Sequence, residues 1–406
     1  MISVESALEI VLSRADPIGA EDVSLPDACG RYLAEEVRSD LDLPPFDRAM
    51  MDGYAVRASD TAGAPRTLRV TGQVRAGQQP DRALASGEAV QIMTGAPVPP
   101  GADAVQQVEK TRALPDGQVE IVEAVEPSQN VAPRGCEARA GDVVLEAGRR
   151  VDPAALAVLA SAGRARVRVG RRPRVALLVT GDELVDPAER PVGGQIRNSN
   201  GPALAAQILE AGAVAEPLGV APDAEERIAA AVQRGLGADV LVLSGGVSAG
   251  AFDLVEAVLA AFGVEVLFER VAIKPGAPLV FGRRGSQLVF GLPGNPVSAQ
   301  VTFDVFVRAA LERLQGSRGT ASRPLVDVEL LAPFRNRSRR KAYLPARVRA
   351  DGTRLVATPI RSAGSADVFA HAAANALLVL EADRTEAAAG EHAPAMLLRR
   401  FFEGDA

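Results

Sequence analysis

The chain contains no tryptophan, and aromatic residues make up only 4% of its 406 positions. Stacking platforms for unpaired bases are therefore not expected. Cysteine is almost as scarce. Cys29 and Cys136 are the only two, far apart and outside any CxxC or Cys/His cluster. That pattern excludes a disulfide framework and a structural zinc site, and it fits a reducing compartment. Histidine is limited to His371 and His392, so a histidine metal centre or a Ser-His-Asp triad would have to rest on one of them. No apolar run approaches the roughly 18 residues of a membrane span, and the N-terminus lacks a secretory apolar segment. A cytoplasmic protein with no membrane partner is expected. An excess of positive charge is also missing: the net charge of −6 argues against a general nucleic-acid-binding surface.

What remains is an ordinary globular composition, 47% hydrophobic and 24% charged, long enough for several domains. Residues 3–14 carry a helical apolar face through Val4, Ala7, Leu8, Val11 and Leu12. Over 40–140, short β-type runs alternate with Gly/Pro turns, and Asp116-Gly117 is a hairpin signal. An Ala-rich helix is expected at 153–162. From 174 to 316 strand and helix alternate: strands at 174–179, 240–243, 264–268 and 288–290, and helices at 202–211, 224–234, 254–261 and 298–314. Strict alternation implies a parallel sheet covered on both faces. β character returns over 322–406, with Asp351-Gly352 as a second hairpin turn and a strand at 376–380. The resulting division is 1–39 with 141–170 as an N-terminal and linker domain, 40–140 as a β-rich insertion, 171–318 as the α/β domain and 319–406 as a C-terminal β domain.

Open α/β sheets bind ligands beyond the carboxyl ends of their strands. Three glycine-bearing segments fall there: Thr180-Gly-Asp-Glu-Leu184, Ser244-Gly-Gly-Val-Ser-Ala-Gly250 and Gly291-Leu-Pro-Gly-Asn-Pro-Val-Ser-Ala299. The third stands where a strand becomes a helix, so free backbone N–H groups and the helix dipole favour an anion such as phosphate. The first two match neither a Walker A loop nor a GxGxxG fingerprint, which disfavours ATPase and dehydrogenase chemistry. Asp182, Glu183, Asp223 and Asp253 cluster on the same edge. With phosphates they suit a hard cation such as Mg²⁺, although Asp223 with Glu226, and Asp253 with Glu256, are also spaced as helix capping boxes. Lys274, before Pro275-Gly276, is a candidate point charge for an anion.

Taken together the motifs resemble the MoeA/gephyrin E-domain family, the molybdopterin molybdenumtransferases. The resemblance rests on Pro44-Pro-Phe-Asp-Arg-Ala-Met-Met-Asp-Gly-Tyr-Ala-Val56, Ile92-Met-Thr-Gly-Ala-Pro-Val-Pro99, Thr180–184, Ser244-Gly-Gly-Val-Ser248, Ile273-Lys-Pro-Gly276 and 291–299. These segments occur in family order over nearly the whole chain. The resemblance implies a multidomain α/β plus β fold: a central molybdopterin-binding (MogA/MoaB-like) α/β domain, a mainly β insertion and a C-terminal β-barrel-like domain, in an elongated homodimer. It implies Mg²⁺-dependent insertion of molybdate into adenylylated molybdopterin with release of AMP, and other molybdenum cofactor biosynthesis proteins as candidate partners. Carried over by residue, Asp52, Glu183, Asp223, Asp253 and Lys274 would be catalytic, with Glu183 and Asp253 at the metal. Thr94, Thr180, Gly181, Asp182, Ser244, Gly245, Gly246, Ser248, Pro275, Gly276, Gly291, Pro293, Gly294, Asn295, Pro296 and Ser365 would bind substrate. Asp52 and Thr94 would face the partner subunit's α/β domain.

The departures from the family pattern fall on cations. Ala277 stands where a second lysine is usual, Arg270 and Glu256 replace lysines, and Pro345 replaces an arginine, with Arg340 and Arg347 close by. The usual arginine-rich segment reads Ala132-Pro-Arg-Gly-Cys-Glu137. The expected consequence is retained pterin-nucleotide binding with weakened or altered molybdate affinity. The alternative is a pterin-nucleotide carrier with little catalysis. A peptide-binding scaffold is a third reading, and no feature of the sequence supports it.

Overall fold

The computed structural model describes residues 1–246, 252–319, 323–336 and 338–399, with Phe252 and Asp253 by backbone alone. Ser248 and the side chain of Asp253 therefore lie outside the described residues.

The first helix, Val4–Leu12, is capped by Ser3, whose hydroxyl accepts from the Ser6 N–H at 3.0 Å. Its buried face of Val4, Ala7 and Val11 joins the core of the distant α/β unit. A separate small core links the antiparallel pair Ala20–Ser24 and Arg166–Gly170 to the helix Pro153–Ser161 through Leu33, Val37, Leu159 and Val167. The insertion is a six-stranded sheet in the order Ala104–Gln107, Gly53–Val56, Glu88–Ile92, Arg66–Val74, Gln118–Ile121 and Thr111–Leu114. The expected Asp116-Gly117 hairpin joins the last two, with φ of 62° and 72° at its centre.

The α/β unit runs β1 (Arg174–Thr180), α1 (Asn200–Glu210), β2 (Val214–Ala221), α2 (Glu225–Gly235), β3 (Val240–Ser244), α3 (Phe252–Ala261), β4 (Glu265–Arg270), β5 (Pro278–Arg284), β6 (Gln287–Leu292) and α4 (Pro296–Thr302). A π-helical turn, Phe303–Val307, carries α4 into α5 (Arg308–Leu314). The strand order is β2-β1-β3-β6-β5-β4. Along β1 the residues alternate between two cores. Val175 and Leu177 pack with Leu204, Phe290 and Phe306, whereas Ala176 and Leu178 pack with Ile228, Val232 and Leu259. Burial on both faces explains why β1 reads as a continuous apolar run.

The sheet is not wholly parallel, as strict alternation had implied. β1, β2, β3 and β6 are parallel, but β5 runs antiparallel to both β6 and β4. Only Gly285 and Ser286 separate β5 from β6, and so short a link can join only antiparallel neighbours.

The C-terminal unit is a closed five-stranded barrel. Its strands Lys341–Asp351, Arg354–Pro359, Leu325–Leu330, His392–Leu397 and Ala376–Leu380 pair in that order, and the last returns to the first. The Asp351-Gly352 turn closes its long hairpin, with Asp351 opposite Arg354. A two-residue strand from the α/β unit, Ile273–Lys274, adds in parallel to Lys341–Ala342 on the barrel. Among the described residues no helix is long and apolar enough to cross a membrane.

Candidate active site

Because β1, β2, β3 and β6 are parallel, their carboxyl ends share one edge, and the three glycine segments all leave from it. After β1 the chain turns at Gly181. A Cβ there would stand 2.7 Å from Glu183 Oε2, so glycine allows the Glu183 carboxylate to fold back over the strand end. Asp182 Oδ1 accepts the Asp223 N–H at 3.0 Å, tying the β1 loop to the β2 loop. Burial, then the charges of Asp182 and Glu183, push the Asp223 carboxyl above the usual range, with hydrogen bonding from the Asp182 backbone N–H and then from the Thr180 side chain offsetting part of this. The capping-box reading of Asp223 does not hold: the N-cap of α2 is Ala224, with no side-chain cap. The Asp223 carboxylate is thus free of capping and faces two other acids.

This donor set is all oxygen and electrostatically crowded, which fits a hard cation. Among the described residues no three His, Cys, Asp or Glu side chains enclose a metal unaided.

Asn200, missed in the sequence reading, organises the middle of the edge. Its Nδ2 donates to Ser244 Oγ at 2.9 Å and to the Gly294 carbonyl at 2.8 Å, joining the start of α1 to the loops after β3 and β6. The signal available was Arg197-Asn-Ser-Asn200 immediately before a helix. Gly245 (φ +99°) closes on β1, where a Cβ would lie 2.4 Å from the Thr180 carbonyl oxygen. Gly246 follows it. A Cβ on Gly294 would lie 3.6 Å from Gly245 Cα, so these two loops touch.

The β6 loop departs from expectation in one respect. Its helix start offers few free amides: Pro296 has none, and the Val297 N–H donates to the Ser365 carbonyl at 3.0 Å. Asn295 Nδ2 donates to Ser365 Oγ at 3.0 Å. The segment from Gly291 through Pro293 to Pro296 therefore fastens the α/β edge to the C-terminal unit, rather than presenting an open amide nest.

Beyond that fastening is a cavity of about 640 Å³ between the two units. Lys274, Pro275, Gly276, Asn295 and Ser298 line one side, and Arg335, Arg340, Arg361 and Ser365 the other. Ala277 and Pro345, two of the family departures, also line it, whereas Arg270 and Glu256 do not. Among the described residues, four cations and no carboxylate face this cavity. Arg335 and Arg361 were not anticipated, because the barrel reaches the site only through tertiary pairing.

Asp52 and Thr94 sit on the insertion. Asp52 Oδ1 accepts from the Thr94 N–H at 2.6 Å and from its hydroxyl at 2.7 Å. These bonds hold the Asp52 carboxyl below its ordinary value. Among the described residues no side-chain hydrogen bond or ion pair joins either one to the α/β edge.

Comparison with known proteins gives a consistent picture. Family models match over residues 2–163 (MoeA N-terminal region, domain I and II), 176–313 (probable molybdopterin binding domain) and 327–398 (MoeA C-terminal region, domain IV). The molybdopterin molybdenumtransferase of Bacillus subtilis is 34% identical over 98% of this chain and 94% of its own length. That of Haemophilus influenzae is 39% identical over 78% of this chain and 79% of its own length. Two solved structures of a MoeA molybdopterin biosynthesis protein from Pyrococcus horikoshii superpose with TM-scores of 0.80 and 0.85, at 34% and 29% identity. They cover 99% and 98% of this chain and 100% of theirs.

Proposed function

This chain belongs to the family of molybdopterin molybdenumtransferases, and on that footing we propose that it inserts molybdenum from molybdate into adenylylated molybdopterin with release of AMP. It is a transferase of molybdenum cofactor biosynthesis. The observation that carries the reading is the path of one loop. Gly294 touches Gly245 and Asn200 on the carboxylate-bearing edge, and the next residue, Asn295, lines the cationic cavity. A ligand along this loop meets acids at one end and cations at the other.

Each end suits one part of the substrate pair. The adenylyl phosphates belong at the strand edge, where Glu183, with Asp182 beside it and Asp253 as a further candidate ligand, would hold Mg²⁺. When bound, the cation offsets phosphate charge. Asp223, held above the usual carboxylate range by burial and its acidic neighbours, is suited to take a proton from the water that attacks the adenylyl phosphorus. The molybdate oxyanion belongs in the cavity, against Lys274, Ser298 and Ser365. About 640 Å³ exceeds what one tetrahedral oxyanion fills and leaves room for the sulfur-bearing end of a pterin. Asp52 and Thr94 reach the crevice from a second copy of the chain, in a homodimer.

The test is a time course of AMP release from adenylylated molybdopterin by the purified chain with Mg²⁺ and molybdate. Release that disappears on chelation and in Glu183→Ala supports the reading. Tight nucleotide binding with no AMP release favours the carrier alternative.

A further inference from the structure

The cavity's charges are distributed in a way the sequence did not show. From the α/β side it has Lys274, and at residue 277 an alanine that is 6% exposed and contributes only a methyl group. From the barrel side it has Arg335, Arg340 and Arg361. Arg335 is shared with Glu386, Nε to Oε2 at 3.4 Å. Among the described residues, Arg361 has no carboxylate within 4.0 Å. Among the described residues, four cations converge there without an acid, in a chain whose net charge is −6. Such a concentration of one sign holds a counter-anion.

The ordinary alternative for an exposed arginine is a solvated side chain on a loose loop. The backbone around Arg361 is instead fixed on both sides. The Ile360 N–H donates to the Pro345 carbonyl at 2.8 Å, and the Ala363 N–H donates to Asp367 Oδ2 at 2.9 Å. Asp367, the nearest acid along the chain, also accepts the Ala370 N–H at 3.1 Å as the cap of the helix Val368–Ala373. Its carboxylate is committed to backbone, and the Arg361 guanidinium keeps its donors for a ligand.

We propose that Arg361 is an oxyanion-binding residue of this cavity, gripping the tetrahedral dianion from the barrel side and standing in for the cation that Ala277 cannot provide. The inference rests on the cavity being the molybdate site. A guanidinium offers a planar fork to two oxygens at once, where a lysine offers a point charge. The substitution at 277 thus changes the direction of the grip rather than removing it.

The experiment is equilibrium dialysis of molybdate against the full chain, saturated with adenylylated molybdopterin and with Mg²⁺ chelated to prevent turnover. Thermal melts confirm that each variant is folded. Arg361→Gln is expected to weaken molybdate binding by about ten- to a hundredfold, the effect of one charge-assisted contact. Arg354→Gln, which removes the same charge on the barrel outside the cavity, is expected to stay within about twofold. Ala277→Lys in the Arg361→Gln background is expected to recover part of the loss. Wild-type affinity in Arg361→Gln alongside loss in Lys274→Ala would overturn the Arg361 assignment and leave the cavity reading standing. Equal losses in Arg361→Gln and Arg354→Gln would overturn it as well, since the effect would then be one of overall charge. If neither wild type nor Lys274→Ala binds molybdate, the cavity reading falls and the inference with it.

Discussion

Two glycines whose loops touch at the strand edge should respond very unequally to the same small change. At Gly245, φ is +99°, and an added Cβ would stand 2.4 Å from the Thr180 carbonyl oxygen and 2.9 Å from its Oγ1. Holding an L residue in that backbone region costs about 1–3 kcal/mol. Relieving the overlap by shifting backbone at a packed strand end costs about 1–3 kcal/mol more. Gly245→Ala is therefore expected to destabilise the α/β unit by about 2–6 kcal/mol, lowering its melting transition by roughly 5–20 °C. Thr180, pushed from its place, carries the Asp182 and Glu183 loop with it, so affinity for adenylylated molybdopterin should fall in the same variant. At Gly294 the same methyl meets only Gly245 Cα at 3.6 Å, an ordinary contact, and φ is not positive. Gly294→Ala should change stability by less than about 1 kcal/mol. Differential scanning calorimetry of the two variants, with nucleotide titrations alongside, is the assay. Equal melting of Gly245→Ala and wild type, or equal loss in both variants, would refute the geometry described for this edge.

Removing one neighbour's charge with Asp182→Asn should bring the Asp223 carboxyl down toward its ordinary range, read by carbon-detected NMR titration. An unchanged titration would show that burial alone raises it. Partial burial pushes the Glu312 carboxyl on α5 up to about 7 from an ordinary 4.5, with Arg308, Arg150 and Tyr32 offsetting only part of this. The folded state holds it ionised at a cost that is fully present above about pH 7 and fades as pH falls toward 4.5. Glu312→Gln should therefore be more stable than wild type at pH 8 by about 1–3 kcal/mol, with the difference gone by about pH 4.5 in denaturant melts. Finally, inactive Asp52→Asn and inactive Glu183→Gln chains, refolded together, should recover about a quarter of wild-type AMP release. Half of a random mixture is mixed dimer with one intact site of two, and no recovery would contradict a crevice completed by the second copy.

Much of this was legible along the chain because its signals are local. The continuous apolar runs of β1 and β3, the glycines that follow them, and the two Asp-Gly hairpins each depend on a few adjacent residues. β2 was not recognised because Pro217 and Gly219 interrupt it. It tolerates them as an edge strand whose register slips against Leu177 and Leu178 of β1. β5 was hidden behind Lys274-Pro-Gly-Ala-Pro278, which reads as loop. Asp223 and Glu226 have capping spacing, yet the helix begins one residue later and leaves the acid to the crevice. Arg335 and Arg361 were invisible for a different reason. They meet Lys274 only because Ile273–Lys274 pairs with a barrel strand almost seventy residues away, and no local pattern encodes that pairing.

The central claim is that one crevice couples breakage of the adenylyl linkage to molybdenum insertion. A single-turnover reaction tests it most directly, with AMP measured by chromatography and molybdenum in the pterin product measured by mass spectrometry in the same samples. The account predicts one molybdenum inserted per AMP released, with both lost in Glu183→Gln. AMP release without molybdenum in the product, or bound nucleotide that releases none, would contradict it.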